Sequence, residues 1–400
     1  MSYYIIPKIN NTINVNPIES DSKLCKIYLS HSLFFYYNDI YKQINDTCCN
    51  EKDLLLNNYY DELIKIVNPC EYIFSTVPGS KFSVSKLKTK SNLYYDFLEI
   101  CSILNIFDLY KSSSIRSLHV TNNKLDSIEC FEMLRENFND EILIYNEIND
   151  DMIKTLGEKK INFLFFDKKT SDLNEYIISL IELIMIILKN QSLNGSCVIK
   201  INEIFYKPIV DVLYILSSLY EKTYILKPTT SNITKFDRYI VCKNFQTNND
   251  KITNFKLNYI KLLVFLKKLN GKNIISLLNF ETPYYFKCKI DEINLIFGQQ
   301  QLDSLDLILN ILKNKNKDDK IETIKKSNIQ KSVAWCEKYK IPCNKFSEKT
   351  NIFLPINKES KESKESKESK ESNESNESNE SNESKESKES NESKESNESV

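Results

Sequence analysis

Between residues 91 and 245 the chain alternates segments with helical and strand-like hydrophobic patterns. Apolar residues at helical spacing, including Leu93, Phe97 and Ile100, predict one long amphipathic helix after Ser91. Farther on, the short apolar runs RSLHV, ILIY, INFLFF and SCVIKI alternate with helical segments such as SIECFEMLREN and IISLIELIMIIL. Strands that alternate with helices are typical of a parallel sheet. The pattern therefore predicts an α/β domain.

Two β-rich runs, Thr223 to Leu226 and Tyr239 to Cys242, follow the last helix of this domain. The 12-residue loop between them contains Pro228 and shows no helical pattern. A parallel crossover normally needs a helix, whereas antiparallel neighbours are often joined by such a loop. We therefore expect an antiparallel hairpin that closes one edge of the sheet.

Four regions are predicted along the chain. Residues 1–86, with aromatic runs such as SLFFYYNDIY, are predicted to be mostly helical, and residues 87–250 form the α/β domain. In residues 251–356 charged and apolar positions alternate at helical period, which predicts a helical extension. Residues 357–400 hold fourteen Lys-Glu-Ser or Asn-Glu-Ser triplets and nothing that would enter a core, so they are predicted to be disordered.

The repeat tail also dominates the charge of the chain. Its triplets contain 14 Glu and 8 Lys, a net charge of −6 out of the chain's −1, which leaves +5 for the rest. That mildly basic remainder is a weak indication of an anionic partner. The tail itself is either an interaction arm or a repeat without a role.

Cysteine and histidine usage argues against a metal site. The chain has eleven Cys and two His, and no two cysteines have the C-x2-C spacing of a zinc site. An odd number of thiols without a signal peptide predicts a reducing, intracellular and cytoplasmic location, not secretion. The longest apolar run, Ile177 to Leu188, contains Glu182 and is shorter than the roughly 20 residues that cross a bilayer, so we expect a buried helix and no membrane association.

Three segments taken together resemble one enzyme family. Gly195 to Lys200 reads GSCVIK, residues 227–231 read KPTTS, and RYIVC follows Asp237. In this order they resemble the carboxyl half of FtsJ-like RNA ribose 2′-O-methyltransferases. The segment AWCEKY, from Ala334, resembles the carboxyl extension of the giant-virus branch of that family. The resemblance covers about residues 91 to 245 and implies a Rossmann-like class I methyltransferase sheet with a closing antiparallel hairpin.

The resemblance also implies a catalytic set at the crevice where open α/β sheets bind ligands. The family uses Lys, Asp, Lys and Glu, in chain order, to remove the proton of a ribose 2′-hydroxyl while S-adenosylmethionine supplies the methyl group. Lys200 matches the base, Asp167 the aspartate, and Asp237 stands in place of the glutamate. Asp96 replaces the first lysine, and an anion there would raise the pKa of Lys200 and oppose its action as a base.

The loop that would bind the methyl donor is altered. After Asn122, relatives have Pro-Gly-Gly where this chain has Lys124-Leu125-Asp126, and no glycine occurs between Gly79 and Gly157. Glycine allows the backbone to approach a ligand and to adopt conformations that a Cβ disfavours. Asp126 also brings a negative charge to the helix N-terminus that would otherwise meet the donor's carboxylate. The resemblance therefore implies a degenerate donor site.

The stretch from Thr121 to Asp167 is short. Its 46 residues leave little room for two further strand and helix units, so we expect one unit, which usually contacts adenine in this fold, to be reduced. Glu147 follows a predicted strand and is either a remaining ribose-binding carboxylate or a solvated loop residue.

Two functions remain open. The first is a catalytically impaired family member, a pseudoenzyme, that binds RNA or a capping-enzyme or methyltransferase partner. The second is an active S-adenosylmethionine-dependent mRNA cap 2′-O-methyltransferase with Lys200 as base, and only this one needs the cofactor. In either case the expected RNA contacts are Lys207, Lys227, Ser231 and Arg238. A giant-virus relative would work in a cytoplasmic viral factory or a virion.

Overall fold

The strand that reads INFLFFD lies at the centre of the sheet. In the computed structural model, which describes residues 3–21, 25–49, 54–122, 126–247, 249–314 and 318–344, residues 163 to 166 of this strand are all 0% exposed. A strand covered on both faces has no need of polar positions and becomes a continuous apolar run. This explains why its sequence does not alternate.

Seven strands form one mixed sheet. In chain order, the strands of the described residues are β1 (Tyr3–Ile5), β2 (Ile18–Ser20), β3 (Arg116–Thr121), β4 (Glu141–Tyr145), β5 (Ile161–Asp167), β6 (Gln191–Ile201), β7 (Tyr220–Leu226), β8 (Arg238–Phe245) and β9 (Asn273–Ser276). The order in the sheet is β1-β7-β8-β6-β5-β3-β4, and β2 pairs separately with β9. Strands β4, β3, β5 and β6 run parallel, whereas β8 is antiparallel to both β6 and β7. The predicted α/β fold and closing hairpin are confirmed.

Helices cover both faces of this sheet. In chain order, the helices of the described residues are α1 (His31–Cys49), α2 (Leu54–Val67), α3 (Leu93–Leu104), α4 (Asp126–Leu134), α5 (Asp150–Leu156), α6 (Leu173–Asn190), α7 (Lys207–Leu219), α8 (Asn249–Lys268), α9 (Tyr284–Lys313) and α10 (Asp318–Lys338). Successive residues of β5 point to opposite faces. Phe163 and Phe165 contact Phe97 of α3, whereas Leu164 and Phe166 belong to the core that contains Leu180 of α6. The result is a three-layer Rossmann-like arrangement.

The N-terminal and C-terminal regions contain strands that the sequence does not predict. In the N-terminal region, β1 lies at the sheet edge, where Tyr3 pairs with Leu226 of β7. The pair formed by β2 and β9 joins the two flanking regions. These strands have three or four residues each. Such short segments carry no periodic signal, and their partners are distant in sequence.

The described residues belong to one compact unit that spans Met1–Lys345. The boundaries predicted after residues 86 and 250 fall inside this unit and stay predictions. The repeat tail lies outside the described residues. No helix in the described ranges is long and apolar enough to cross a membrane.

A buried carboxylate attaches the C-terminal region to the sheet domain. Asp211 of α7 is 0% exposed, and it accepts hydrogen bonds from Lys207 Nζ at 2.6 Å and from the backbone nitrogens of Leu277 and Leu278 at 2.9 and 3.2 Å. The Ser276 hydroxyl donates to the same carboxylate at 2.8 Å. Burial raises the pKa of Asp211, and Lys207 opposes that shift. The turn after β9 is therefore held by one ionised side chain.

We expect Asp211→Ala to destabilise the protein by about 3–5 kcal/mol, because it leaves a buried ammonium and two backbone donors without their acceptor. Urea unfolding followed by the fluorescence of Trp335, the single tryptophan of the chain, would measure this change. Asp303→Ala is the matched control: Asp303 is exposed on α9 and accepts one hydrogen bond, from Gln299. Equal, small losses for both variants would contradict the assignment.

Candidate functional site

The catalytic set implied by the resemblance meets at one edge of the sheet. Asp167 is the last residue of β5 and pairs with Thr121 of β3, while Lys200 lies one residue before the end of β6. Asp237 directly precedes β8, which begins at this same edge because it runs antiparallel to β6. Three segments that are far apart in sequence thus bring their polar side chains together.

Lys200 lies between two carboxylates. Its Nζ is 4.0 Å from Asp167 Oδ2 and 3.7 Å from Asp237 Oδ2. The side chains of Lys200 and Asp167 are 14% and 9% exposed, and that of Asp237 is 30% exposed. The ammonium also lies 5.8 Å from the ring centroid of Tyr239, which pairs with Lys200 across the two strands. The cluster is open to solvent mainly on the side of Asp237.

Helix α3 contributes a third carboxylate, Asp96, to this cluster. It lies in the first turn of α3 and is 4% exposed. Its Oδ1 accepts a hydrogen bond from the Thr230 hydroxyl at 2.5 Å, and its Oδ2 accepts one from the Tyr239 hydroxyl at 3.0 Å. Burial raises the pKa of Asp96 to about 6, although Lys200, Thr230 and Tyr239 favour the ionised form.

The pKa of Lys200 is raised above its ordinary value. Burial of the ammonium acts to lower this pKa, but the negative charges of Asp167, Asp237 and Asp96 outweigh burial. The contribution of Asp96 has the sign that the sequence predicts. A lysine in this state is protonated near neutral pH and pairs with the neighbouring carboxylates.

A second buried carboxylate on α3 was not anticipated from the sequence. Glu99, one turn after Asp96, is 1% exposed and accepts hydrogen bonds from the backbone nitrogen of Thr229 at 3.1 Å and from Trp335 Nε1 at 3.0 Å. Trp335 belongs to α10 and packs edge-on against Tyr95. The two α3 carboxylates therefore fix the loop that contains Thr229 and Thr230, and the C-terminal extension takes part. Asp96 and Glu99 are three residues apart, which places both on one side of a helix, and this spacing is the feature of the sequence that could have indicated the pair.

The four residues expected to contact RNA are engaged within the protein. Lys207 is paired with Asp211, and the Ser231 hydroxyl donates to the Pro228 carbonyl at 2.8 Å. Lys227 Nζ donates to the carbonyl oxygens of Lys235 and Asp237 at 2.6 and 3.0 Å. Arg238 is 2% exposed; its guanidinium donates to the Asn294 side chain and lies 5.1 Å from the Phe297 ring centroid. The role of these residues as RNA contacts stays a prediction.

The crevice beside β3 lies at the point where the strand order reverses, with β4 on one side and β5 on the other. Asn122 follows β3, and its side-chain nitrogen donates to the Lys169 carbonyl after β5 at 3.1 Å, so this bond joins the two loops. Lys124 and Leu125 lie outside the described residues. Asp126 is the first residue of α4. An acidic residue therefore occupies the positive end of that helix.

One strand and helix unit, β4 with α5, lies between β3 and β5, and β4 is the edge strand of the sheet as described. The expected reduction of a unit is confirmed. Glu147, two residues after β4, is exposed at the same edge as Asp167. Among the described residues, no group of three or more His, Cys, Asp or Glu side chains is arranged to hold a metal ion.

No family model matches the chain, and no curated protein sequence matches it. Among solved structures, it is similar to a Plasmodium falciparum protein described as a ribosomal RNA methyltransferase, with 13% identity and a TM-score of 0.32 over 40% of this chain and 100% of that one. It is also similar to a Corynebacterium glutamicum protein described as a spermidine synthase, with 8% identity and a TM-score of 0.30 over 51% of this chain and 89% of that one. At these TM-scores our fold assignment rests on the strand order. Membership of the FtsJ-like family and of its giant-virus branch stays a prediction.

The raised pKa of Asp96 makes a prediction about stability and pH. Because folding raises this pKa from about 3.9 to about 6, the native state favours the protonated acid, and its stabilising contribution, complete below pH 4, is lost as the pH rises through 6. Asp96→Asn resembles the protonated form. We expect the stability of this variant relative to wild type to increase by about 2 kcal/mol between pH 4 and pH 7 in urea unfolding.

The control for this experiment is Asp39→Asn, at an exposed position of α1. A pH-independent difference for Asp96→Asn would mean that folding does not raise the pKa of Asp96.

Proposed function

We propose that this chain is a catalytically impaired relative of the FtsJ-like RNA ribose 2′-O-methyltransferases that keeps the fold as a binding module for a partner. The observation that carries the proposal is the state of Lys200. A general base must be neutral to accept a proton, yet three carboxylates raise the pKa of Lys200. In the family that this chain resembles, the position of Asp96 holds a lysine. The positive charge of that lysine would lower the pKa of the catalytic base.

The residues at the expected donor site do not fit S-adenosylmethionine. The bond from Asn122 to the Lys169 carbonyl joins the loops after β3 and β5, between which a donor would lie. The sequence of the first loop replaces the Pro-Gly-Gly of the family by Lys124-Leu125-Asp126, and so loses the glycines that let a backbone approach a ligand. The sheet also lacks, in the part that is described, a strand beyond β4. For these reasons we propose no methyl-transfer step.

We expect the partner to be a protein rather than RNA. The cations that would have contacted phosphate are paired with Asp211, with backbone carbonyls or with Asn294. Nucleic-acid affinity depends on exposed cations that release counterions from phosphate. A capping-enzyme or methyltransferase subunit is the partner class that agrees with the resemblance.

An active cap 2′-O-methyltransferase is the second candidate. The observation in its favour is that Asp167 and Asp237 flank Lys200 at 4.0 and 3.7 Å, which is the arrangement that the resemblance implies for catalysis. In such an enzyme Lys200 would have to lose its proton before or during the transfer. The raised pKa of Lys200 makes this the weaker alternative.

Calorimetric titration with S-adenosylmethionine tests the proposal. We expect no measurable heat, because Asn122 ties the loop after β3 to the loop after β5 and the first of these loops has no glycine. Binding of capped RNA should be weak and should fall steeply between 50 and 200 mM salt, since only non-specific phosphate contacts remain.

Turnover assays on capped RNA test the proposal most directly, because one outcome would reject it. Methylation that Lys200→Ala abolishes, and that Lys222→Ala at an exposed position of β7 leaves intact, would reject the impaired state and establish the enzyme. Micromolar donor binding without turnover would reject only the statement that the donor site is lost.

A further inference from the structure

Helix α8 is apolar on two sides. Phe255 and Leu262 are buried among the core residues that also include α6, while Ile252, Leu257, Ile260 and Val264 are 40–54% exposed. Four exposed aliphatic residues on one helix are more than the single, scattered apolar residues that an ordinary protein surface carries. An amphipathic surface helix would carry polar residues on that outer side. The outer side of α8 is therefore available for a contact.

Two cavities follow the seam between α6 and α8. The larger has a volume of about 560 Å³ and is bordered by Leu193, Phe245, Ile252 and Tyr259 among others. The smaller, of about 270 Å³, is bordered by Met185, Leu263, Leu266 and again Tyr259. Because Tyr259 and Lys189 line both cavities, the two are neighbours along α8, and we call the pair of cavities the α8 groove. From residue 252 to residue 266 it extends about 21 Å at 1.5 Å per residue.

The rim of the α8 groove is basic. Four lysines, Lys160, Lys189, Lys256 and Lys267, line its two cavities, against two acidic residues, Glu158 and Glu182.

The two acidic side chains balance only part of this charge. Glu158 is 3.7 Å from Lys189, and burial raises the pKa of Glu182 to about 7, so that Glu182 is partly neutral. From Ile252 to the end of α8 the sequence contains no acidic residue. The groove therefore combines apolar cavities with a net positive rim.

We propose that the α8 groove binds an amphipathic helix of a second protein, with aliphatic or aromatic residues on one face and Asp or Glu on its flanks. The length of the groove matches about four helical turns of such a ligand. Apolar anchors at i, i+3, i+4 and i+7 would enter the two cavities, and the acidic flanks would meet the lysines.

Two other occupants fit less well. A second copy related by a two-fold axis would place α8 against α8 and bring Lys256 and Lys261 of both copies together, without acidic residues of α8 between them. An anionic membrane would satisfy the lysines, but its surface would not fill cavities of about 560 and 270 Å³. Concave apolar cavities favour inserted side chains.

This inference rests on the partner-binding role proposed above and names the surface that would carry it. It is independent of Lys200, so a failure here would leave the impaired state of the candidate site untouched, and the donor titration tests that state separately.

The probe is a fluorescein-labelled synthetic peptide of about 16 residues, with Leu on one helical face and Glu on the others, titrated with the full chain in fluorescence anisotropy. We expect Ile260→Glu to weaken binding at least about 10-fold, because it places a like charge at the centre of the exposed stripe. Lys256→Glu should weaken binding and reduce its salt dependence. Leu295→Glu, at a 49% exposed position of α9 that lines neither cavity, is the matched control and should change nothing.

Control peptides and two further measurements separate the occupants. A scrambled peptide of the same composition, and one with Lys in place of Glu, should bind at least about 10-fold more weakly. The proposal is overturned if the Leu/Glu peptide fails to bind at micromolar concentration or if Ile260→Glu has no effect. A dimer in sedimentation equilibrium that Ile260→Glu dissociates would instead identify a second copy. Binding to phosphatidylserine vesicles that Ile260→Glu abolishes, without peptide binding, would identify a lipid surface.

Discussion

Two buried carboxylates on one side of α3 determine how the rest of the candidate site is built. Asp96 and Glu99 are 4% and 1% exposed, and a buried carboxylate is costly unless other groups donate hydrogen bonds to it. The donors come from the loop after β7, from Tyr239 of β8 and from Trp335 of α10. Satisfying these two acids therefore requires the sheet, the loop and the C-terminal extension to be in place together.

The same requirement changes what Lys200 can do. A lysine surrounded by several carboxylates contributes to stability as a counter-ion, whereas a base needs cationic or apolar surroundings that favour its neutral form. Asp96 adds a third negative charge to the surroundings of Lys200, which therefore belong to the first kind.

The sequence predicted those parts of the fold that have a local signal. The apolar run of β5 and the hairpin of β7 and β8 follow from the hydrophobic pattern and the loop length, whereas the meeting of Asp167, Lys200 and Asp237 at one edge was implied by the family resemblance. The short strands β1, β2 and β9 have no such signal, because pairing with distant segments creates them. The hydrogen bond that Trp335 donates to Glu99 was not predictable from the sequence either, because the two residues are distant in the chain. The internal partners of Lys207 and Lys227 were also not predictable, since a sequence does not distinguish a solvated ammonium from one held by an acceptor within the protein.

The contact between Trp335 and Glu99 joins residues that are 236 positions apart. During synthesis at about 5–20 residues per second, α3 would leave the ribosome on the order of 10–50 seconds before its tryptophan partner. Strand β1 would wait similarly for β7, because Tyr3 pairs with Leu226. In the nascent chain β1 therefore lacks its partner until β7 is made, and Glu99 lacks the Trp335 donor until α10 is made. The protein is committed to folding late in translation, and chaperones have a long interval in which to bind the exposed face of α3.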